Sequence, residues 1–131
     1  MDKQTKKKVR DILYLEGSYK DRPTNKELQE YTGISSVAQI KSNSQDGNAS
    51  KYPILRMKWQ YEQICDLTED AEEILAVNDL TPSLKEISEV TGRSVNSLNV
   101  LRYNGKKKKK SYGFEFYLWQ YRLKKVAELA Q

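Results

Sequence analysis

The sequence predicts a mainly α-helical fold of two tandem units, residues 1–67 and 68–131, with a short β-wing or strand after the third helix of each. Two observations predict it. KELQEYTG at residues 26–33 returns as KEISEVTG at residues 85–92, and Trp-Gln-Tyr also occurs twice, in the same order and at nearly the same offset. Such repetition indicates an internal duplication. Within each copy, apolar residues recur at helical spacing.

The first helix of each unit is predicted by such an apolar face. The faces comprise Val9, Ile12 and Leu13 in the first unit and Ala71, Ile74 and Leu75 in the second. Gly17 and Asn78 are the predicted ends, and Thr68 is the predicted N-cap of the second unit's helix.

The second helix has the clearest local signals. Thr24 and Ser83 each stand three residues before a glutamate, which is the pattern of a capping box. Gly33 and Gly92 follow as predicted C-caps, because glycine adopts positive φ without strain. The expected core residues of these helices are Leu28 and Ile87.

The third helix is predicted to begin after Ser35 or Ser94 as cap. In the second unit the expected inward face is Val95, Leu98 and Leu101, and the expected outward face is Arg93, Asn96, Asn99, Val100 and Tyr103. In the first unit only Val37 and Ile40 are apolar. Asn104-Gly105 is the predicted end, since this dipeptide is typical of hairpin turns.

Short strands are expected next, at residues 52–57 and 112–118. The alternation of Phe114, Phe116 and Leu118 favours a strand. A last helix should then carry Trp119, Leu123, Val126 and Ala130 inward, with a counterpart that runs from Trp59 to Leu67 in the first unit.

Charge is distributed unevenly along this chain of net charge +5. Residues 62–89 carry nine acidic residues and one lysine, a net charge of −8, whereas residues 90–131 carry ten basic and two acidic residues, a net charge of +8. A localised basic region is the electrostatic signature of a polyanionic partner.

The composition excludes several kinds of chemistry. The chain has no histidine and one cysteine, Cys65. These counts exclude a histidine zinc site, a Cys cluster, a Ser–His or Cys–His catalytic pair and an internal disulfide. We therefore expect no enzyme activity, metal or cofactor. We also expect no membrane association, and a cytoplasmic location that is nucleoid-associated in a bacterial or phage setting.

Residues 85–94, KEISEVTGRS, resemble the helix-turn-helix family of DNA-binding proteins, with a hydroxyl cap two residues after the glycine. The second copy also resembles the DNA-binding repeat of intron-encoded nucleases. The first copy, with Arg22-Pro23-Thr24 ahead of its second helix, resembles a winged helix-turn-helix of repressor type. The resemblance implies that the third helix of each unit enters the major groove of double-stranded DNA.

Candidate contacts follow from that placement. Asn, Gln and Arg can bond base edges bidentately, and the candidates for base reading are Arg93, Asn96, Ser97, Asn99, Arg102, Ser36, Gln39 and Lys41. Lysines and capping serines suit phosphates, and these candidates are Ser35, Ser94, Lys51, Lys106, Lys107, Lys108, Lys109 and Lys110.

The leading hypothesis is a sequence-specific DNA-binding protein, a transcriptional regulator that acts as a monomer or homodimer. One alternative is an adaptor that docks a polymerase or recombinase through the acidic segment 62–89. A second is the DNA-targeting module of a mobile-element nuclease. The aromatic residues from 112 to 119 have two possible roles. They could stack on unpaired bases, but the ordinary expectation is that they form part of the protein core.

Overall fold

The structure, a computed structural model, describes residues 1–19, 23–34, 36–43, 51–78, 82–108 and 112–131. Within these ranges the chain forms eight α-helices and one short 3₁₀ turn. They are α1 (Lys3–Tyr14), the 3₁₀ turn (Gly17–Tyr19), α2 (Asn25–Thr32), α3 (Val37–Asn43), α4 (Lys51–Leu67), α5 (Glu69–Asn78), α6 (Leu84–Thr91), α7 (Val95–Lys108) and α8 (Tyr112–Leu129). The expectation of a mainly α-helical fold is confirmed.

Helices α4 and α8 pack against each other at the centre of the molecule. The α2–α3 pair packs on α4, and the α6–α7 pair packs on α8. One apolar cluster joins the two central helices to α1 and α5. Its fully buried members include Val9, Ile12, Ile64, Ala71 and Val126.

That cluster crosses the expected boundary between residues 67 and 68, because residues of α1 and α4 pack with residues of α5 and α8. Each helix-turn-helix pair adds a smaller cluster of its own. The division into two units therefore stays a prediction, and the halves of the chain share their main core.

Helix α1 is also fixed to α4 by a buried polar side chain. Gln60 is 4% exposed, and its Nε2 donates hydrogen bonds to the carbonyl oxygens of Ile12 at 2.9 Å and Leu13 at 3.1 Å. These are among the last carbonyls of α1, where intrahelical partners run out, and the Ile12 oxygen also accepts from the backbone N–H of Leu15 at 3.3 Å. The glutamine of the first Trp-Gln-Tyr motif thus serves as a C-terminal cap for α1.

The expected strands at residues 52–57 and 112–118 are wrong, because both segments lie in helices, α4 and α8. No strand occurs in the described ranges. Pro53 is compatible with helix here, since it lies in the first turn of α4, where its missing N–H would have no intrahelical partner.

The error has a physical reason in α8, which buries two faces at once. Phe114, Tyr117 and Tyr121 pack in the cluster under α6 and α7. Phe116 and Trp119 pack in the central cluster instead. A helix that is apolar on two sides gives a nearly continuous apolar run, which periodicity alone does not distinguish from a strand. This packing favours the expectation that these aromatic residues form core, since Trp119 and Tyr121 are buried and the other three are half-buried.

Helix α7 also extends beyond its expected end at Asn104-Gly105 and runs to Lys108. Gly105 is buried within it. Helix α8 approaches α7 closely, because a Cβ added to Gly113 would lie 2.9 Å from Cδ2 of Leu101. Tertiary packing here overrides the turn preference of the dipeptide. Asp46-Gly47, a second dipeptide of a kind that is common in hairpin turns, lies outside the described residues.

Candidate nucleic-acid interface

The start of α6 and the turn between α6 and α7 are built from local capping signals, as expected. Ser83 Oγ accepts from the backbone N–H of Glu86 at 3.1 Å, and the Glu86 carboxylate accepts from the backbone N–H of Ser83, which completes the capping box. Gly92 ends α6 with φ at +78° and donates its N–H to the carbonyl oxygen of Ser88 at 2.9 Å. Ser94 then caps α7, because its Oγ accepts from the N–H of Ser97 at 3.1 Å.

Buried apolar contacts hold the pair on α8. Ile87 from α6, Leu98 from α7 and Tyr121 from α8 form one cluster, and each is less than 2% exposed. The Tyr121 hydroxyl donates to Oε2 of Glu86 at 3.2 Å, and Lys124 Nζ donates to the carbonyl oxygen of Val90 at 2.7 Å. Both polar contacts fix α6 to α8. They leave the outer side of α7 exposed to solvent.

The carboxylate in this anchor is kept charged. The hydrogen bond from the Ser83 backbone, followed by those from the Ser83 hydroxyl and Tyr121, lowers the pKa of Glu86 below its ordinary value. Burial, with the adjacent Glu86 charge, raises the pKa of Tyr121. The tyrosine therefore remains a protonated donor to an ionised acceptor over the physiological pH range.

The outer side of α7 carries four exposed residues at positions i, i+3, i+4 and i+7, which we call the α7 face. They are Asn96, Asn99, Val100 and Tyr103. Val100 is 55% exposed and Tyr103 is 61% exposed. Helix α7 contains no acidic residue. Their exposure confirms the expected outward positions of these residues.

Two arginines lie at the margins of the α7 face. The guanidinium carbon of Arg93 is 5.3 Å from the ring centroid of Tyr117, within the range of a cation–π contact. Arg102 Nη2 donates to Oδ1 of Asn99 at 3.3 Å. Both arginines are exposed, and each has a contact that restricts where its guanidinium lies.

Two other second-unit residues differ from their expected roles. Ser97 is half-buried beside the α7 face, in a groove of about 280 Å³ that Arg93 and Leu101 also line. Val95 was expected to face inward, and this expectation is wrong because it is 42% exposed. Residues spaced by three drift by about 60° per step around a helix, so Val95 falls at the edge of the buried side.

The first unit offers a smaller counterpart. Helix α3 has seven residues, and Val37 and Ile40 are its buried ones, as expected. Ser36 and Gln39 are exposed candidates for base contact, although the Ser36 carbonyl oxygen accepts the first helical hydrogen bond, from Ile40. Lys41 lies in α3, but its side chain falls outside the described part of the structure.

The phosphate candidates are described only in part. Ser94 is exposed beside the α7 face, and Lys51 is half-buried at the start of α4. Lys106, Lys107 and Lys108 form the last residues of α7, with side chains outside the described part. Ser35, Lys109 and Lys110 lie outside the described residues altogether.

A basic surface that the sequence pattern did not single out lies on α1. Lys3, Lys7 and Lys8 are exposed there, and Arg10 donates to the carbonyl oxygen of Ala130 at 2.6 Å, near the end of α8. Lys6 Nζ donates similarly to the Gln131 carbonyl oxygen at 3.2 Å. The sequence of α1 could have indicated this basic surface, because the helix has five basic residues and one acidic residue.

No group of three or more Cys, Asp or Glu among the described residues is placed to hold a metal ion. Burial raises the pKa of the Cys65 thiol, which disfavours the reactive thiolate. No helix in the described ranges combines the length and the apolarity that a bilayer crossing requires.

Comparison of the chain with protein-family models, curated proteins and solved structures finds no match. The function must therefore be inferred from the geometry of α6, α7 and α8.

Proposed function

We propose that this chain is a sequence-specific double-stranded DNA-binding protein, a transcriptional regulator with two tandem helix-turn-helix units. The observation that carries the proposal is the α7 face. Asparagine side chains stand exposed on a helix without acidic residues, and three lysines of the same helix follow them. An α-helix with one open side of this kind fits the width of the major groove.

In the proposed complex, the α7 face contacts base edges and the lysines contact phosphates. A bidentate amide contact to a base contributes about 1–3 kcal/mol of discrimination against the wrong base. Lysine contacts add affinity that depends on salt and not on sequence. The Ser94 hydroxyl caps α7 through its oxygen, so its hydrogen remains available to donate to a phosphate.

The α2–α3 pair is proposed to occupy a neighbouring stretch of the same duplex. Tandem reading helices fit groove segments about 34 Å apart, one turn of DNA. Because α3 exposes Gln39 where α7 exposes asparagines, the two half-sites should differ in sequence, and a perfect palindrome is not expected.

The adaptor function has one observation in its favour. Helix α5 exposes Glu69, Glu72 and Glu73, and carboxylates repel phosphates, so that this surface is better suited to a protein than to DNA. A polymerase or recombinase with a basic patch would be complementary to it. The alternative of a DNA-targeting module predicts the same DNA contacts as the main proposal. It differs only in that the chain would direct a mobile-element nuclease to its DNA site.

Selection of duplexes from a randomised pool tests the proposal. We expect the native chain to enrich a motif with two unlike halves and the N96A/N99A variant to lose the half that α7 reads. Gln39→Ala is the matched control, since it removes an exposed amide from α3 and should relax only the other half. Failure to enrich any motif would contradict sequence-specific binding.

A variant with neutral side chains on α5 distinguishes the adaptor function from regulation through DNA binding alone. Replacing Glu69 and Glu73 with glutamine should leave DNA affinity unchanged or raise it slightly. If reporter regulation in cells is lost while DNA affinity is intact, the acidic surface docks a protein, and the adaptor function is favoured.

A further inference from the structure

The chemical make-up of the α7 face is narrower than that of a general polar helix. Its four residues supply two carboxamides, an aliphatic side chain and a phenol. It contains no carboxylate, the group that accepts from the N4 amino group of cytosine, and no guanidinium within it, the group that pairs best with guanine. These absences limit the bases that the face can recognise.

From this make-up we infer that the α7 face reads A·T base pairs in the major groove, with its asparagines on adenine and Val100 on the methyl group of thymine. The inference rests on the proposed DNA-binding function and specifies its substrate. Asparagine bonds adenine N6 and N7 bidentately, and an aliphatic side chain packs on the thymine C5-methyl group. Adenine and its paired thymine present these two features side by side in one groove.

The contact of Asn99 with Arg102 fits this assignment. Its Oδ1 already accepts from Arg102 Nη2 at 3.3 Å, which fixes which end of the amide is the acceptor. A carboxamide oxygen has a second lone pair, and that lone pair accepts from adenine N6 while the amide N–H donates to N7. Arg102 therefore orients the amide and does not itself read guanine at this position.

Val100 supplies the second half of the recognition. It is 55% exposed, although burial of an aliphatic side chain is favoured by about 25 cal/mol for each Å² removed from water. Asn96 lies one turn before it on the same face, at i−4. A thymine methyl group would cover apolar area that the isolated protein leaves in water.

Arg93 borders the α7 face, where it lines one groove with Asn96 and Val100, and the Tyr117 ring holds its guanidinium to one side of them. Its guanidinium lies 5.3 Å from the Tyr117 ring, at the N-terminal margin of α7. We assign it to the phosphate backbone or to a flanking base, so it does not oppose the preference for A·T pairs at the centre.

The first experiment compares two duplex pools of equal length, one randomised with A and T and the other with G and C, by fluorescence anisotropy with the full chain. We expect the A·T pool to bind roughly 5- to 150-fold more tightly, the range for one bidentate base contact. Equal affinity, or tighter binding of the G·C pool, would overturn the inference while leaving DNA binding intact. Absence of binding to both pools at low salt would overturn the proposed function with it.

A preference for A·T pairs also arises from a narrow minor groove that attracts basic side chains. Replacing thymine with uracil removes only the major-groove methyl group, so it separates the two origins. We expect the native chain to lose roughly fourfold in affinity, the value of one methyl-sized apolar group. The Val100→Ala variant should bind more weakly at the outset and respond to uracil much less.

Val100 is well exposed, so the V100A variant should fold normally, and circular dichroism checks this. Val95→Ala is the control, since it shortens another exposed valine of α7 that lies outside the α7 face and should keep the full response to uracil. If the native chain prefers A·T pairs but does not respond to uracil, its readout does not occur through α7 in the major groove, and the inference is overturned.

Discussion

Replacing Gly92 with alanine tests how the turn sets α7 in place. Gly92 has φ at +78°, in the left-handed region, and a Cβ added there meets no atom within 4 Å. The cost of the substitution is therefore confined to the local backbone, with no clash between the new Cβ and the rest of the protein. A non-glycine residue in this region costs about 1–2 kcal/mol.

That cost should appear as a loss of folding stability of about 1–2 kcal/mol for G92A, or roughly a 5- to 30-fold fall in the ratio of folded to unfolded protein. Urea unfolding followed by circular dichroism measures it. The midpoint should fall while the m-value stays the same, because the surface exposed on unfolding does not change. Gly92→Asn should lose less, since asparagine adopts the left-handed conformation more readily than alanine.

Gly33 provides a matched control, with φ at +71° and equally open space where a Cβ would stand. G33A should therefore lose a similar amount. The reasoning would be refuted if G92A were as stable as the native chain. A loss of much more than about 3 kcal/mol would also refute it, because such a loss requires a steric clash that the structure does not show.

Three further predictions concern the core and the caps. Gln60→Leu should cost about 1–3 kcal/mol, because it removes both hydrogen bonds from this side chain to carbonyls of α1. Urea unfolding measures this cost, and Gln120→Leu, at a half-buried position, should cost less. The hydrogen bonds that lower the pKa of Glu86 stabilise the fold at pH values above the ordinary pKa of a glutamate. This contribution is lost as the pH falls through the lowered pKa. The folding stability of Glu86→Gln, measured in an acid titration, should therefore depend less on pH than that of the native chain. Residues 1–67 and 68–131, expressed separately, should each lack cooperative unfolding, since they share the central cluster; a sharp transition in either would contradict the shared core.

The helix caps could be predicted from the sequence because they are local. Ser83 and Gly92 act within a few residues of themselves, so their pattern in the sequence determines the turn. Thr24 and Gly33 do the same at α2. The position of the turn before α7 follows from them.

The long central helices could not be predicted correctly, because their character depends on partners distant in sequence. Helix α8 buries Tyr121 under α6 and α7 and Trp119 in the central cluster. Only the packing explains why its apolar residues lie on two sides. For the same reason Asn104-Gly105 reads as a turn in sequence, yet lies within α7, where Gly105 is buried.

For the candidate site, sequence spacing was enough to place Asn96 and Asn99 on the surface. It did not show that Arg102 donates to Asn99 or that Arg93 lies over Tyr117. These contacts depend on side-chain conformation and, for Arg93, on a helix that was expected to be a strand. A·T recognition could be inferred only with these contacts.

The central claim is that the α7 face is the surface that contacts DNA. The most direct test is to titrate the ¹⁵N-labelled chain with a duplex enriched from the randomised pool and to monitor the amide chemical shifts by NMR. We predict that the largest amide shift changes occur at Asn96, Asn99, Val100 and Tyr103, with little change along α5. Changes concentrated on α5, with α7 unaffected, would contradict the claim.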